Sequence, residues 1–291
     1  METDSVTYAA PVTVDEASAL LASNPDARVF AGATDVLPQS KAGRPLPATL
    51  IDLKRIPRLT RISVDDGTWT IGAAASAVRV CADAALRSEY PGIVEATALI
   101  GSDQIQSRAT LGGNLCNASP AADTGPALRV NGARVVVATP SGERIIPVAE
   151  LTEGPGRTSL GAGEFVVEFL LDRVGPRRSD AYLRFTPRTE MDIAVVGAGA
   201  RVTLDEAGRC TDAAVVLGAV APTTVDVEGI AETLTGTMLD EDALDRAAEL
   251  SRMSCQPIDD KRGTKEFRVH IAGVLTKRAL RTAAVRAGGK R

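Results

Sequence analysis

The stretch IGSDQIQSRATLGGNLCNASPAADTGPAL, residues 100–128, limits the possible folds more than any other part of the chain. A glycine pair, Gly112-Gly113, is followed by short polar side chains at Asn114, Asn117 and Ser119 and by a lone carboxylate at Asp123. Pro120 and Pro126 interrupt the later part. Glycine and proline both weaken the interior of a regular element, so residues 110–123, from Thr110 to Asp123, are expected to form a loop. Glycine lets a backbone approach a ligand closely, and successive free N–H groups form an anion-binding concavity. Leu111, Leu115 and Cys116 predict partial burial. Burying so many polar groups is costly unless something satisfies them, which points to a phosphate-bearing cofactor.

A second loop supports this. Ala31, Gly32, Ala33, Thr34 and Asp35 follow an expected strand at 28–30 and precede an expected helix running to about Lys41. A strand-to-helix turn aims N–H groups and a helix N-terminus at one spot, where phosphate binds well. An ordinary turn capped by Thr34 or Asp35 has the same pattern. Together the two loops fit the two phosphates of a dinucleotide, with FAD, NAD and other nucleotides equally compatible. The run VVGAGARV at 195–202 has the look of a dinucleotide fingerprint, but Val202 stands at its third glycine and VTL continues a strand, so it is expected to be a strand of small residues.

Composition removes several function classes. Trp69 and His270 are the only residues of their types, and no G-x-S-x-G elbow accompanies the histidine, which argues against a Ser-His-Asp hydrolase. One histidine cannot build a histidine-based metal site. The formal charge of −4 is unlike that of a nucleic-acid binder. No apolar run reaches the roughly 18 residues of a membrane span, and the N-terminal METDSVTYAAPVTVDEA lacks the features of a secretory signal, so a cytoplasmic protein is expected. Cys81, Cys116, Cys210 and Cys255 are scattered without C-x-x-C spacing, which fits isolated thiols better than disulfides or an iron–sulfur cluster.

Periodicity predicts a helix starting at Thr13 with Glu16 three residues on, a buried strand over 49–53, a hairpin around Asp65-Asp66-Gly67, helices at about 76–87 and 91–99, a second hairpin around Pro140-Ser141-Gly142, and a strand over 163–171. GPRRS at 175–179 is the best boundary. Beyond it come three strands (181–187, 193–204, 210–217) and three helices (about 227–235, 240–253, 265–286), an α+β arrangement. In the last helix Phe267, Ile271, Val274, Leu275 and Ala279 are expected on the buried face, with a solvated basic face opposite.

The segment ATLGGNLCNASPAADTGPAL resembles the flavin-binding motif of the FAD-binding medium subunit of molybdenum hydroxylases, the family of xanthine dehydrogenase and carbon monoxide dehydrogenase. AGATDVL is similar to that family's other flavin loop, and LGAVAPTTV (217–225) with CQPIDDKRGTKEFRVHIAGVLTKRAL (255–280) resembles its C-terminal domain. The resemblance implies a two-subdomain FAD-binding fold over 1–175, divided at about 58, and a C-terminal flavoprotein domain over 176–291 with a three-stranded sheet plus helices. It implies that Ala31, Gly32, Ala33, Thr34 and Asp35, with Gly112, Gly113 and Asn114 after Thr110, line the FAD pyrophosphate. Asn117, Ser119 and Asp123 would then bond ribityl or phosphate oxygens, Val166 would pack on the ring, and Arg184 would stand where the family often has a lysine. Ala33 replaces the second glycine of the usual loop, so it must take a negative φ or bear strain.

The resemblance further implies an electron-exit subunit. It would take electrons from the [2Fe–2S] clusters of a small partner, in a dimer of heterotrimers with a large molybdopterin subunit, and pass them to NAD or another acceptor. A stand-alone FAD-dependent reductase or oxidase and a flavin-free assembly subunit are the two alternatives.

Overall fold

A computed structural model describes residues 6–189 and 191–289; the first five residues of the N-terminal stretch lie outside them. The runs VVVA (135–138) and FVVEFLL (165–171) are apolar at nearly every position, the pattern of strands buried on both faces. They lie at the centre of a five-stranded antiparallel sheet, ordered Ile62–Asp65, Thr68–Gly72, Phe165–Asp172, Arg134–Thr139, Gly142–Pro147. Successive side chains point to opposite faces, and an irregularity in the pairing between Val166 and Glu168 exchanges the faces along Phe165–Asp172. Val136, Ala138, Phe165 and Val167 pack with Ala17, Ile51 and Leu59 on one side. Val135, Val137, Phe169 and Leu171 pack with Tyr90, Ile93, Leu111 and Leu128 on the other.

The first side carries a small α/β unit. Thr7–Ala9, Thr49–Asp52 and Ala27–Phe30 form a parallel sheet with Thr49–Asp52 in the middle. The helix Val14–Ser23 packs on it, and Thr13 caps that helix by accepting from the Glu16 N–H at 3.1 Å. On the other side, the single helix expected over 76–87 is two, Ala77–Ala82 and Ala84–Glu89. Asp83 divides them because its carboxylate caps the second, accepting from the Leu86 N–H at 2.9 Å.

The C-terminal part is a separate antiparallel sheet covered by helices, so the chain as a whole is α+β. Arg178–Phe185, Val196–Leu204, Cys210–Gly218 and Val225–Asp226 pair in that order. The sheet has four strands where three were expected, because a two-residue strand leaves no periodic pattern. The glycines and alanines of the fingerprint-like run sit inside Val196–Leu204, without a turn into a helix. The buried face of Lys265–Arg286 is shifted from expectation: Leu275 and Ala279 are buried as expected, but so are Ala272, Thr276, Leu280 and Ala283, while Phe267 is 37% exposed. Small side chains let this helix lie close to the sheet, so a stripe of large apolar residues misplaces its face. Arg268, expected on the solvated side, is 4% exposed and donates to Asp260 at 2.7 Å and to the Val195 carbonyl at 2.6 Å.

Asp180 joins the two parts. Its carboxylate accepts from the Gly92 N–H at 3.0 Å and the Asn131 amide at 2.6 Å, and Arg286 donates to its carbonyl at 2.9 Å. Burial, only partly offset by these donors, pushes its pKa from 3.8 up to about 6. A raised folded-state pKa contributes stability that is present below the unfolded value and lost as pH rises through the folded one. Asp180→Asn removes that loss. The melting temperature of the variant minus that of wild type should therefore rise between pH 4 and pH 7, by the equivalent of about 1–3 kcal/mol. Melts across that range check the slope; a flat difference contradicts the assignment.

Candidate functional site

An open cleft lies between residues 28–36, at the end of the parallel sheet, and residues 109–117. It continues into an apolar recess of about 460 Å³, the two sharing Val29, Phe30, Ala31, Gly113 and Cys116. One arm is polar, and the other is lined by Leu53, Leu160, Phe165 and Val166.

The loop 31–35 makes the polar wall. Among the described residues, the N–H groups of Gly32, Ala33, Thr34 and Asp35 have no acceptor within the chain. Such consecutive free donors form a concavity suited to an anion. The opposite side of the loop is anchored: Lys54 Nζ donates to the Ala31 carbonyl at 2.6 Å and to Asp52 at 2.9 Å, and lies 5.0 Å from the centre of the Phe30 ring. Tyr8 holds the same carboxylate at 2.9 Å. Ala33 has φ 61°, so strain is the outcome of the two expected for it. The helix that follows, Val36–Lys41, is only six residues long. The loop's own donors therefore matter more here than a helix dipole.

The segment 110–123 is not a continuous loop. Leu111–Cys116 is a helix capped by Thr110, whose hydroxyl accepts from the Gly113 N–H at 3.0 Å. Two glycines weaken a helix by about 1 kcal/mol each, but the cap and the complete burial of Leu111 override that. The expected free N–H groups are in use. Gly112 donates to the Ala73 carbonyl at 3.1 Å and Asn114 to the Thr110 carbonyl at 2.9 Å. The glycines at 32 and 112 serve approach between protein backbones. A Cβ on Gly32 would lie 2.2 Å from the Arg108 carbonyl oxygen, and one on Gly112 would lie 2.5 Å from that of Ala73.

Asn114 and Asn117 face the cleft and also brace it. Asn114 accepts from Thr124 at 2.6 Å. Asn117 accepts from Gln39 at 3.0 Å and donates to Asp35 at 3.4 Å, tying the two walls together. Three expected residues lie elsewhere. Ser119 lines neighbouring hollows with Pro120 and accepts from the Ala121 N–H at 3.3 Å. Asp123 and Arg184 are buried as an ion pair at 2.7 Å, and Tyr182 donates to the other oxygen of Asp123 at 2.8 Å. Both carboxylate oxygens of Asp123 are thus engaged within the chain, and the charge of Arg184 is matched by it. Burial raises Asp123 to about 6, with Arg184 and Tyr182 opposing the rise.

Several residues in or behind the cleft were not expected as part of the site. Arg28 and Phe30 sit two apart on the strand entering the loop, a spacing that places them on one face. Lys54 is 23 residues from the carbonyl it holds, and nothing local announces the contact. Cys116 lines both arms; burial pushes its thiol up to about 12, so it is neutral. Among the described residues no group of three or more His, Cys, Asp or Glu could hold a metal ion.

Comparison with known proteins adds independent findings. Residues 4–171 match the family model described as FAD binding domain in molybdopterin dehydrogenase, and 181–283 match the CO dehydrogenase flavoprotein C-terminal domain. The chain is 30% identical over 293 residues to the xanthine dehydrogenase FAD-binding subunit of Escherichia coli O157:H7, covering 99% of each. It is 32% identical over 279 residues to the carbon monoxide dehydrogenase medium chain of Hydrogenophaga pseudoflava, covering 95% of this chain and 96% of that one. A chain in the structure of reconstituted CO dehydrogenase from Oligotropha carboxidovorans superposes with a TM-score of 0.92 at 30% identity, over 97% of this chain and 98% of that chain. One in quinoline 2-oxidoreductase from Pseudomonas putida 86 gives 0.91 at 28%, over 99% of each.

Two substitutions test the loop geometry. Ala33→Gly relieves a left-handed alanine, worth about 1–2 kcal/mol, against a glycine entropy penalty of about 0.4–1 kcal/mol. It should raise the melting temperature by about 1–3 °C. Gly32→Ala should lower it and empty the cleft of ligand, because the new methyl meets backbone that cannot move aside. Melts and ligand content of the purified variants check both; a Gly32→Ala protein with unchanged ligand content contradicts the packing argument.

Proposed function

The chain belongs to the family of FAD-binding domains in molybdopterin dehydrogenases, as an FAD-binding subunit of the xanthine and carbon monoxide dehydrogenase type, and from that premise we propose that it is the electron-exit subunit of a molybdenum hydroxylase. The observation that carries the site assignment is the row of four unused N–H donors at 32–35, facing a cleft with one polar and one apolar arm. A dinucleotide with a charged diphosphate and a flat apolar ring has that same division.

Thr34 and the N–H groups of residues 32–35 would hold the diphosphate. Ala31 begins the loop and is held there by Lys54, which donates to its carbonyl. Thr110, Gly112 and Gly113 position the opposite wall, and Asn114 presents its amide to the ligand. Val166 would pack against the ring from the apolar arm. Asp35 and Asn117 close the mouth across 3.4 Å. Ser119, Asp123 and Arg184 would act from outside the cleft, with the buried pair fixing the start of the helix Thr124–Val130 and Ser119 the turn before it. When bound, FAD supplies two-electron storage, filled from the [2Fe–2S] clusters of a small partner subunit and drained by NAD or another acceptor.

Substrate oxidation would belong to a large molybdopterin subunit, and the assembly would be a cytoplasmic dimer of heterotrimers. In this arrangement 1–58 and 59–175 form the two halves of the flavin clamp, and 176–291 forms the flavoprotein domain beside it. No helix among the described residues is long and apolar enough to cross a membrane. The protein isolated from its native host should elute with FAD, iron and molybdenum in one peak. A chain that elutes alone with FAD and oxidises a substrate of its own supports the stand-alone flavoenzyme instead. Lys54→Met should weaken FAD retention by about tenfold, the worth of one charge-assisted hydrogen bond, measured by flavin fluorescence in the filtrate. Unchanged retention argues against the anchoring role.

A further inference from the structure

We propose that Arg28 is the counter-charge for the FAD diphosphate and makes the cleft prefer diphosphate-bearing ligands over uncharged adenosine. The inference rests on the assignment of FAD to this cleft. Arg28 is the one cationic residue among those lining the polar arm, where Asp35 is the one acidic residue. It is only partly exposed, and among the described residues its guanidinium makes no hydrogen bond and has no carboxylate within ion-pair distance.

The neighbouring charges all leave it free to act. Lys54 is held by Asp52 and the Ala31 carbonyl. Arg44 donates to Gln39 at 3.2 Å and stands close enough to add positive potential at Arg28. Asp35 attracts Arg28 through space, but its carboxylate accepts from Asn117 at 3.4 Å. Burial, the largest influence on Arg28, and the repulsion from Arg44 both disfavour its charge.

A partly buried, unpaired guanidinium is unfavourable unless an anion completes it. A diphosphate does so best, because the planar fork gives two parallel N–H bonds to phosphate oxygens. The free N–H groups at 32–35 supply directional hydrogen bonds but only partial charges. Arg28 adds a full unit of positive charge. Phe30, on the same strand face, lines both arms of the cleft.

The test uses the full chain stripped of flavin and titrated with FAD by fluorescence quenching, with ADP and adenosine as competitors. Arg28→Gln should weaken FAD and ADP by about 10- to 100-fold, the range for a hydrogen bond to a charged group, and leave adenosine within about twofold. It should also flatten the salt dependence of FAD binding. Arg28→Lys should restore part of the loss, and both variants should melt within a few degrees of the ligand-free wild type. Equal weakening of ADP and adenosine, or FAD affinity unchanged in Arg28→Gln, overturns the proposal. A stripped wild-type chain that takes up no FAD overturns the cofactor assignment itself, which is a different result.

Discussion

The site depends on two backbone contacts that only glycine permits. Gly32 lets the loop 31–35 rest on the Arg108 carbonyl, and Gly112 lets the helix Leu111–Cys116 rest on the Ala73 carbonyl. The first joins the loop after the parallel sheet to the segment before Thr110; the second seats the helix on the end of the strand Thr68–Gly72 of the five-stranded sheet. Together they set the distance between the walls of the cleft. A side chain at either position must separate the walls, because the opposing atoms are backbone. The side-chain ties across the cleft, Asn117 to Asp35 and Gln39, depend on that spacing.

Within this frame the binding chemistry is divided unequally. The wall at 110–117 uses most of its N–H donors to hold itself together, through the Thr110 cap and the Ala73 carbonyl. The loop at 31–35 keeps its donors for a ligand and is itself held from behind by Lys54. The strained Ala33 belongs to the same arrangement: a positive φ turns consecutive N–H groups to one side. Two buried carboxylates, Asp123 and Asp180, lie outside the cleft and join the flavin-binding part to the C-terminal sheet.

Much of this was legible in the sequence because the relevant patterns are local. The apolar runs at 135–138 and 165–171, the Thr13 cap, both hairpins and the two glycine-bearing segments each show in a short window. What was not legible depends on distant contacts. The segment 110–123 looked like a loop because glycine and proline lower helix propensity, yet the burial of Leu111 and Leu115 outweighs that. The glycines pointed to close approach, and the partner turned out to be the protein's own backbone. Nothing local in the sequence announces that Asp123 pairs with an arginine 61 residues on. Arg28 and Lys54 stood in no motif at all. The face of the last helix was placed only in part, because alanines and a threonine join Leu275 and Leu280 in its buried stripe.

In the proposed site both walls close on one FAD, with the loop's backbone donors as the principal contacts. Hydrogen–deuterium exchange of the full chain with and without FAD tests it directly. Amides 32–35 should exchange freely without FAD and become strongly protected with it. The amides of Gly112, Gly113 and Asn114, already bonded within the chain, should be slow in both states. Protection that appears at 112–114 while 32–35 remain unprotected would contradict it.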